Sequence, residues 1–413
     1  MTPPRHAAIP LPMAQQLVGF GTEGTVFGRG ADQGAAQEAA RSAAAPGQAV
    51  LVLDGVRKAG HAEGTQALAW LELQLQQGEF LTLLGPAGAG KSVAIELVAG
   101  FLQPDAGRIL IKGERQARLP PWRRDIGLVS DSPDLFPEMD VLSNAAFPLE
   151  ARGVDRAGRE ERAAAMLERW GVPPSLARLR PTALSPARQL RVALARATVH
   201  GPALLLLDDP LRGLDGEERE ALAADLSQLR RALGLTVLHA ARDPALASVL
   251  SDRMVVLEGG RARQAGTPQG LYENPADPVV AALTGPCNRL PGRVLSVEDG
   301  VCLVRLDCGL EATGLSVTGP EGSPLPGANC TLVIRPEHVA VAPLPPEAMG
   351  EDAVAARLVE SRFAGGQVRL RLAVGEGGEL VAHRPPGLPL PEPGEVASIA
   401  WNLSAAQVHR DAS

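Results

Sequence analysis

The residues of this chain best suited to chemistry form one octapeptide, Gly85-Pro86-Ala87-Gly88-Ala89-Gly90-Lys91-Ser92, followed by Val93. It fits the pattern G-x-x-x-x-G-K-[ST], in which backbone N–H groups and a helix N-terminus surround phosphate oxygens. That pattern places Lys91 on the β and γ phosphates and the Ser92 hydroxyl on Mg²⁺. Lys58 and Lys112 are the only other lysines; every remaining cationic side chain of this kind is arginine, which makes a lysine inside the loop more telling. A second set follows at Leu204-Leu205-Leu206-Leu207-Asp208-Asp209-Pro210. An aspartate ending such a strand holds Mg²⁺, directly or through water, and the acid beside it is placed to polarise an attacking water. Each set alone also fits an ordinary turn, but together and in this order they specify a triphosphate site.

Both sets need a scaffold of strands and helices. Phe80–Leu84 reads as a short buried strand entering the loop, and 93–100 as a helix closed by glycine. Further strands are expected at Ala49–Leu53, Ile126–Val129, Ala203–Leu207, Thr236–His239 and Met254–Leu257, alternating with helices. That alternation predicts an α/β domain over 49–285 with a largely parallel sheet. A helix-rich insertion is expected over about 119–196. Residues 286–413 change character, with short runs broken by Gly and Pro. Gln367–Val374 alternates apolar and mostly polar positions, and Val301–Leu306 does so too, predicting a smaller all-β, barrel-like domain. Residues 1–48 show no sustained period and read as a disordered extension or as sequence wrongly taken for coding.

Bulk properties narrow the function classes. The 413 residues allow about two domains, and the net charge of -7 with a pI near 5.6 gives a nucleic-acid role no support. No apolar run approaches the roughly 18 residues needed to span a bilayer, so any membrane role requires a partner. Nothing resembles a secretory signal. Cys287, Cys302, Cys308 and Cys330 form no paired C-x-x-C motif and read as free thiols.

The motif order resembles that of ATP-binding cassette (ABC) proteins. Leu184-Ser185-Pro186-Ala187-Arg188-Gln189 is similar to the family's signature segment, and Leu211-Arg212-Gly213-Leu214-Asp215 to the loop after its acidic strand. Arg124–Asp131 with Leu135-Phe136-Pro137 resembles the glutamine-loop region, and Asp243 with Ser251-Asp252-Arg253 the stretch after the switch histidine. Gly266-Thr267-Pro268 and Tyr272-Glu273-Asn274-Pro275 match the cassette's end. Cys287–Gly292 and Val333–Val339 resemble the C-terminal TOBE domain of importer cassettes, an OB-like barrel. Ala146-Phe147-Pro148-Leu149-Glu150 looks most like the spermidine/putrescine group.

The resemblance implies a P-loop cassette with a helical subdomain, binding ATP and Mg²⁺. It implies docking on transmembrane permease subunits, an indirect link to a periplasmic solute-binding protein, pairing as a homodimer or heterodimer, and a peripheral position on the cytoplasmic face of the membrane. Gly85–Val93 and, across the dimer, Ser185, Pro186, Ala187 and Arg188 would contact nucleotide. Ser92, Asp208 and Asp131 would surround the metal. The family's Leu-Ser-Gly-Gly-Gln is altered, its glutamate is Asp209, its histidine is Arg242 and its glutamine is Asp131. An adenine-stacking aromatic is missing near Ala59-Gly60, with His61 the nearest substitute. Because these departures surround the γ-phosphate, impaired hydrolysis is expected, and Asp131 is expected to approach Arg242 within about 4 Å.

Overall fold

A computed structural model of the chain describes residues 25–26, 49–60, 66–116, 119–343 and 353–411. His61 and, apart from Thr25–Val26, the whole 1–48 extension lie outside them. The cassette runs β1 (Thr25–Val26), β2 (Ala49–Ala59), β3 (Gln66–Gln76), β4 (Phe80–Leu84), α1 (Lys91–Ala99), β5 (Ala106–Ile111), β6 (Glu114–Arg115) and β7 (Ile126–Val129). Then come α2 (Val141–Glu150), α3 (Arg156–Arg169), α4 (Pro186–Thr198), β8 (Leu204–Asp208), α5 (Gly216–Leu233), β9 (Val237–Ala241) and α6 (Pro244–Leu250). It closes with β10 (Arg253–Glu258), β11 (Arg261–Gly266), α7 (Pro268–Glu273) and α8 (Pro278–Thr284).

One 11-stranded sheet takes the order β6-β5-β2-β3-β11-β10-β4-β9-β8-β7, with β1 laid against β11. From β10 to β7 every pairing is parallel. These strands are covered on both faces, which is why Leu204–Leu207 can be four consecutive, fully buried leucines. The other half is mainly antiparallel. Ala49–Leu53, expected among strands of a largely parallel sheet, is instead the start of β2. A short link returns the chain directly to β3, which antiparallel pairing permits and a parallel crossover does not. The helical insertion likewise starts later than expected, because β7 belongs to the sheet and α2, α3 and α4 fill 141–198. Their apolar faces meet around Trp170, whose indole N–H donates to Thr198 Oγ1 at 3.0 Å.

The helix behind the phosphate loop is secured at its far end. Arg124, 2% exposed, donates from Nη1 to the carbonyls of Leu97 and Val98 at 2.8 and 2.7 Å and from Nη2 to Gln116 O at 2.9 Å. A guanidinium among the last carbonyls of α1 satisfies groups that have no partner within the helix.

The second domain runs β12 (Asn288–Glu298), β13 (Val301–Leu306), β14 (Glu311–Val317), β15 (Asn329–Ile334), β16 (Ala340–Ala342), β17 (Val354–Phe363), β18 (Val368–Val374), β19 (Gly378–Arg384), β20 (Val396–Ala400) and β21 (Ala406–Arg410). A closed barrel, β12-β13-β14-β21-β15, packs with a five-stranded sheet, β16-β20-β17-β18-β19, around one apolar cluster. Val368, Leu370, Leu372 and Val374 supply it from β18, as the alternation predicted. All the cysteines are free thiols, and Cys302, Cys308 and Cys330 are buried.

Arg335, just after β15, joins the domains. Its Nη1 donates to the carbonyls of Ala281, Gly285 and Pro286 at 2.8 to 3.1 Å, and its Nη2 to Tyr272 O and Thr284 Oγ1 at 2.8 and 3.0 Å. The guanidinium also stacks 3.9 Å from the Tyr272 ring centroid, and the Tyr272 hydroxyl donates to Glu337. Replacing Arg335 by Leu strands these acceptors in a buried junction. Chemical denaturation should show a loss of about 3 kcal/mol or a separated, earlier transition of the β domain; an unchanged single transition would contradict the joint.

Acid should also weaken the cassette. His239, on β9 within the parallel half of the sheet, is pushed down to about 4 by burial. Its folded pKa lies below its unfolded value near 6.5, so no stability is lost above that pH and up to about 3 kcal/mol is lost as pH falls toward 4. Unfolding curves between pH 7 and 4 should be less pH-dependent in His239→Gln than in the wild type.

Candidate nucleotide-binding site

The loop Gly85–Gly90 leaves β4 at the C-terminal edge of the parallel strands and enters α1 at Lys91. Two of its glycines are required by close approach. A Cβ on Gly85 would lie 2.2 Å from Leu257 O, and one on Gly90, at φ +97°, 2.5 Å from Ala67 O. With those contacts fixed, Pro86, Ala87 and Gly88 form the exposed crest of the loop and Lys91 is buried beneath it. The Lys91 ammonium donates to the loop's own carbonyls, Gly85 O and Pro86 O, both at 2.7 Å.

A cleft of about 270 Å³ opens at this crest, lined by Ala87–Val93 and by Ala67, Asp131, Asp208, Asp209, Arg212 and Arg242. Asp208 ends β8 and accepts a hydrogen bond from Ser92 Oγ at 3.0 Å. Asp209 follows in a left-handed conformation, φ +52°. Its N–H donates to Ala240 O at 2.9 Å and its carbonyl accepts from Arg212 N at 3.2 Å. That turn carries Arg212 to the cleft. Arg242 comes from the residue after β9, and Asp131 from the loop after β7.

A hydroxyl and a carboxylate side by side, next to a phosphate-binding loop, fit Mg²⁺, which is held by one or two protein groups with phosphate and water completing its shell. Among the described residues no group of three or more His, Cys, Asp or Glu side chains is arranged as a metal cage. Asp131 lines the same cleft as Ser92 and Asp208. Its charge is felt by Asp208, whose carboxyl is held above the usual range by burial first and by Asp131 as well, against the Ser92 hydrogen bond. Asp209 is also raised by burial, opposed by the nearby charges of Arg242 and Arg212. Lys91 is lowered by burial and then by Arg242.

One expected contact is replaced by another. The Arg242 guanidinium faces Asp209, with Nε 3.9 Å from Oδ2, and among the described residues no ion pair within 4 Å joins it to Asp131. The left-handed turn at Asp209 brings its carboxylate beside the end of β9, ahead of Asp131. Sequence reasoning also passed over Arg212 as a site residue, although its place three residues after Asp209, in a short turn, carried the signal.

Ser185, Pro186, Ala187 and Arg188 do not line this cleft. Ser185 caps α4, accepting from Arg188 N at 3.4 Å, with Pro186 in the first turn. Ser185, Pro186 and Arg188 are exposed, but Ala187 is 8% exposed. Pro186 and Arg188 are thus the altered groups of this segment that face outward.

Gly90→Ala tests whether the loop is held as described. The added methyl meets Ala67 O and the positive φ disfavours it; phosphate or nucleotide affinity should fall at least about tenfold with the chain still folded. Binding at the wild-type level by calorimetry would show that the loop is free to shift.

Comparison with known proteins agrees with this geometry. Residues 68–212 match the family described as ABC transporter, and residues 332–408 the TOBE domain. A spermidine/putrescine import ATP-binding protein of Rubrobacter xylanophilus is 37% identical, over 80% of this chain and 86% of that protein. A sulfate/thiosulfate import ATP-binding protein of Chromobacterium violaceum is 38% identical, over 78% and 81%, and an Fe(3+) ions import ATP-binding protein of Rhizobium etli 36% identical, over 73% and 82%. Among solved structures, cbiO1 of Clostridium perfringens, part of an ABC transporter complex, superposes with a TM-score of 0.51 at 27% identity, over 55% of this chain and 91% of that one. A phosphate loop on a parallel sheet, a helical insertion and a following TOBE barrel, shared with relatives over most of their length, place this chain in the ABC family as the ATP-binding subunit of an importer.

Proposed function

We propose that this subunit takes up Mg-ATP at the Gly85–Val93 loop, closes as a pair of cassettes beneath a transmembrane permease on the cytoplasmic face, and turns ATP over slowly. A polyamine is the proposed cargo, because spermidine/putrescine import proteins recur among the relatives, from Rubrobacter xylanophilus, Frankia alni and Trichodesmium erythraeum. Import proteins for sulfate and iron appear as well, so uptake of labelled spermidine by cells carrying the subunit and its permease is the test of cargo.

On this reading Ser92 and Asp208 would hold Mg²⁺, which would supply charge neutralisation at the phosphates. Lys91 leaves the carbonyls of Gly85 and Pro86 for the β and γ oxygens. Asp209 orients the attacking water. Its side chain is one methylene shorter than the family's glutamate, and a displacement near 1 Å lowers a rate by roughly 10²-fold. Arg242, standing where the family has histidine, donates to phosphate but does not exchange a proton near neutral pH.

The observation that carries slow turnover is the contact between Arg242 and Asp209: the group that would take the water is neighboured by a fixed cation. A second reading, a nucleotide-gated structural or regulatory subunit with little turnover, is favoured by the outward-facing Pro186 and Arg188 at the start of α4. Steady-state phosphate release in proteoliposomes, with and without the cognate permease, separates the two.

Asp209→Glu alone should not raise phosphate release to within a few-fold of an ordinary cassette, because Arg242, Asp131 and the altered signature remain. Recovery from that single change would refute a collective defect. Mg-ATP should bind with Kd above about 1 μM and below millimolar, read by calorimetry; tighter binding would refute the weakness, and none at millimolar ATP the proposed site.

A further inference from the structure

We propose that Arg242 and Arg212 form a two-arginine clamp for the γ-phosphate, and that in the resting chain the Asp209 carboxylate occupies the Arg242 arm until phosphate displaces it. This rests on the nucleotide-binding reading above and assigns the groups that tell a triphosphate from a diphosphate.

The geometry supports an exchange. Asp209 is fixed, its backbone held by Ala240 and Arg212 and its side chain only 15% exposed. Arg242 is the free partner, with 48% of its side chain exposed, and it meets the carboxylate at 3.9 Å, longer than a hydrogen bond. A contact of that length, open to water, is weak and readily exchanged. Phosphate offers the guanidinium fork a bidentate partner at higher charge density.

Arg212 reaches the same cleft by a separate route. It is exposed and lines the cavity, and among the described residues its side chain makes no hydrogen bond and no ion pair. Its charge is nevertheless felt by Asp209, as is that of Arg242. Two cations of fixed charge therefore face one carboxylate from two loops. With Lys91 they balance Asp131, Asp208 and Asp209 before any ligand enters, so an arriving phosphate finds a neutral cleft with one arginine idle and one loosely held.

Lys91 contacts carbonyls at the base of the loop, at Gly85 and Pro86. Arg242 and Arg212 line the same cleft as Lys91 and Asp209, and the charge of Arg242 is felt by Lys91. On the proposed assignment a diphosphate held by the loop leaves the two arginines unused, and a third phosphate engages them.

Equilibrium binding of Mg-ATP and Mg-ADP to the full chain tests the clamp. Arg242→Gln and Arg212→Gln should each weaken ATP by about tenfold and ADP by less than about twofold. Asp209→Asn should tighten ATP by about three- to tenfold in the wild-type background and leave it unchanged in the Arg242→Gln background. The same effect of Asp209→Asn in both backgrounds, or none in the wild type, would overturn the displacement. Equal loss of ATP and ADP in both Arg242→Gln and Arg242→Lys would overturn the assignment to the third phosphate. A wild-type chain that binds neither nucleotide would instead refute the nucleotide-binding reading itself.

Discussion

The rest of the site depends on the backbone of the Gly85–Gly90 loop being pressed between two carbonyl oxygens, Leu257 O at one end and Ala67 O at the other. No side chain fits at either point. The two contacts come from β10 and the start of β3, so the loop's shape is set by strands from both halves of the sheet. Arg124 holds the opposite end of α1 through the Leu97 and Val98 carbonyls. A helix fixed at both ends keeps its N-terminal N–H groups aimed at one place, which lets an otherwise flexible glycine loop act as a preformed anion site.

Around that anchor the charges are arranged against burial. Asp208 and Asp209 are both raised and Lys91 is lowered, and in each case removal from water is the largest cause. An acidic pair at the end of a buried strand needs cations nearby to stay ionised. In this chain Arg242 supplies part of that charge where the family has histidine. The substitution at Arg242 keeps Asp209 in a favourable field but places a permanent cation beside the group that would orient water. Stabilising the carboxylate and freeing it for chemistry are therefore opposed requirements here.

What was legible in the sequence was what local pattern decides. The loop, the buried strand before it and the acids closing β8 follow from residue types within a few positions of one another. The period-two pattern of Val368–Val374 specified its buried face because a strand's faces alternate strictly. What was hidden depended on distant chain segments. The antiparallel setting of the Ala49 strand depends on its pairing with β5, distant in the chain, as well as with β3. The partner of Arg242 follows from the left-handed turn at Asp209, which no pattern of charges announces. Arg335 lies inside the Val333–Val339 run, but its role comes from Tyr272, Ala281, Thr284 and Gly285 converging on it from another domain.

The cassette also presents the start of α4 away from its own cleft. Ser185 still caps the helix, so the N-terminal dipole and the free N–H groups beyond Pro186 remain available to an anion. Pro186 removes one donor, and Arg188 adds an exposed cation where the family has glutamine. On the proposed clamp, two such chains closing face to face would bring arginines to each phosphate from both sides: Arg212 and Arg242 of its own chain and Arg188 of the other. Such a site exchanges close backbone contacts, which need glycine and exact approach, for long cationic side chains, which tolerate a looser one. Charge neutralisation survives that exchange better than the fixed geometry that water attack requires, so binding and closure can persist where turnover is lost.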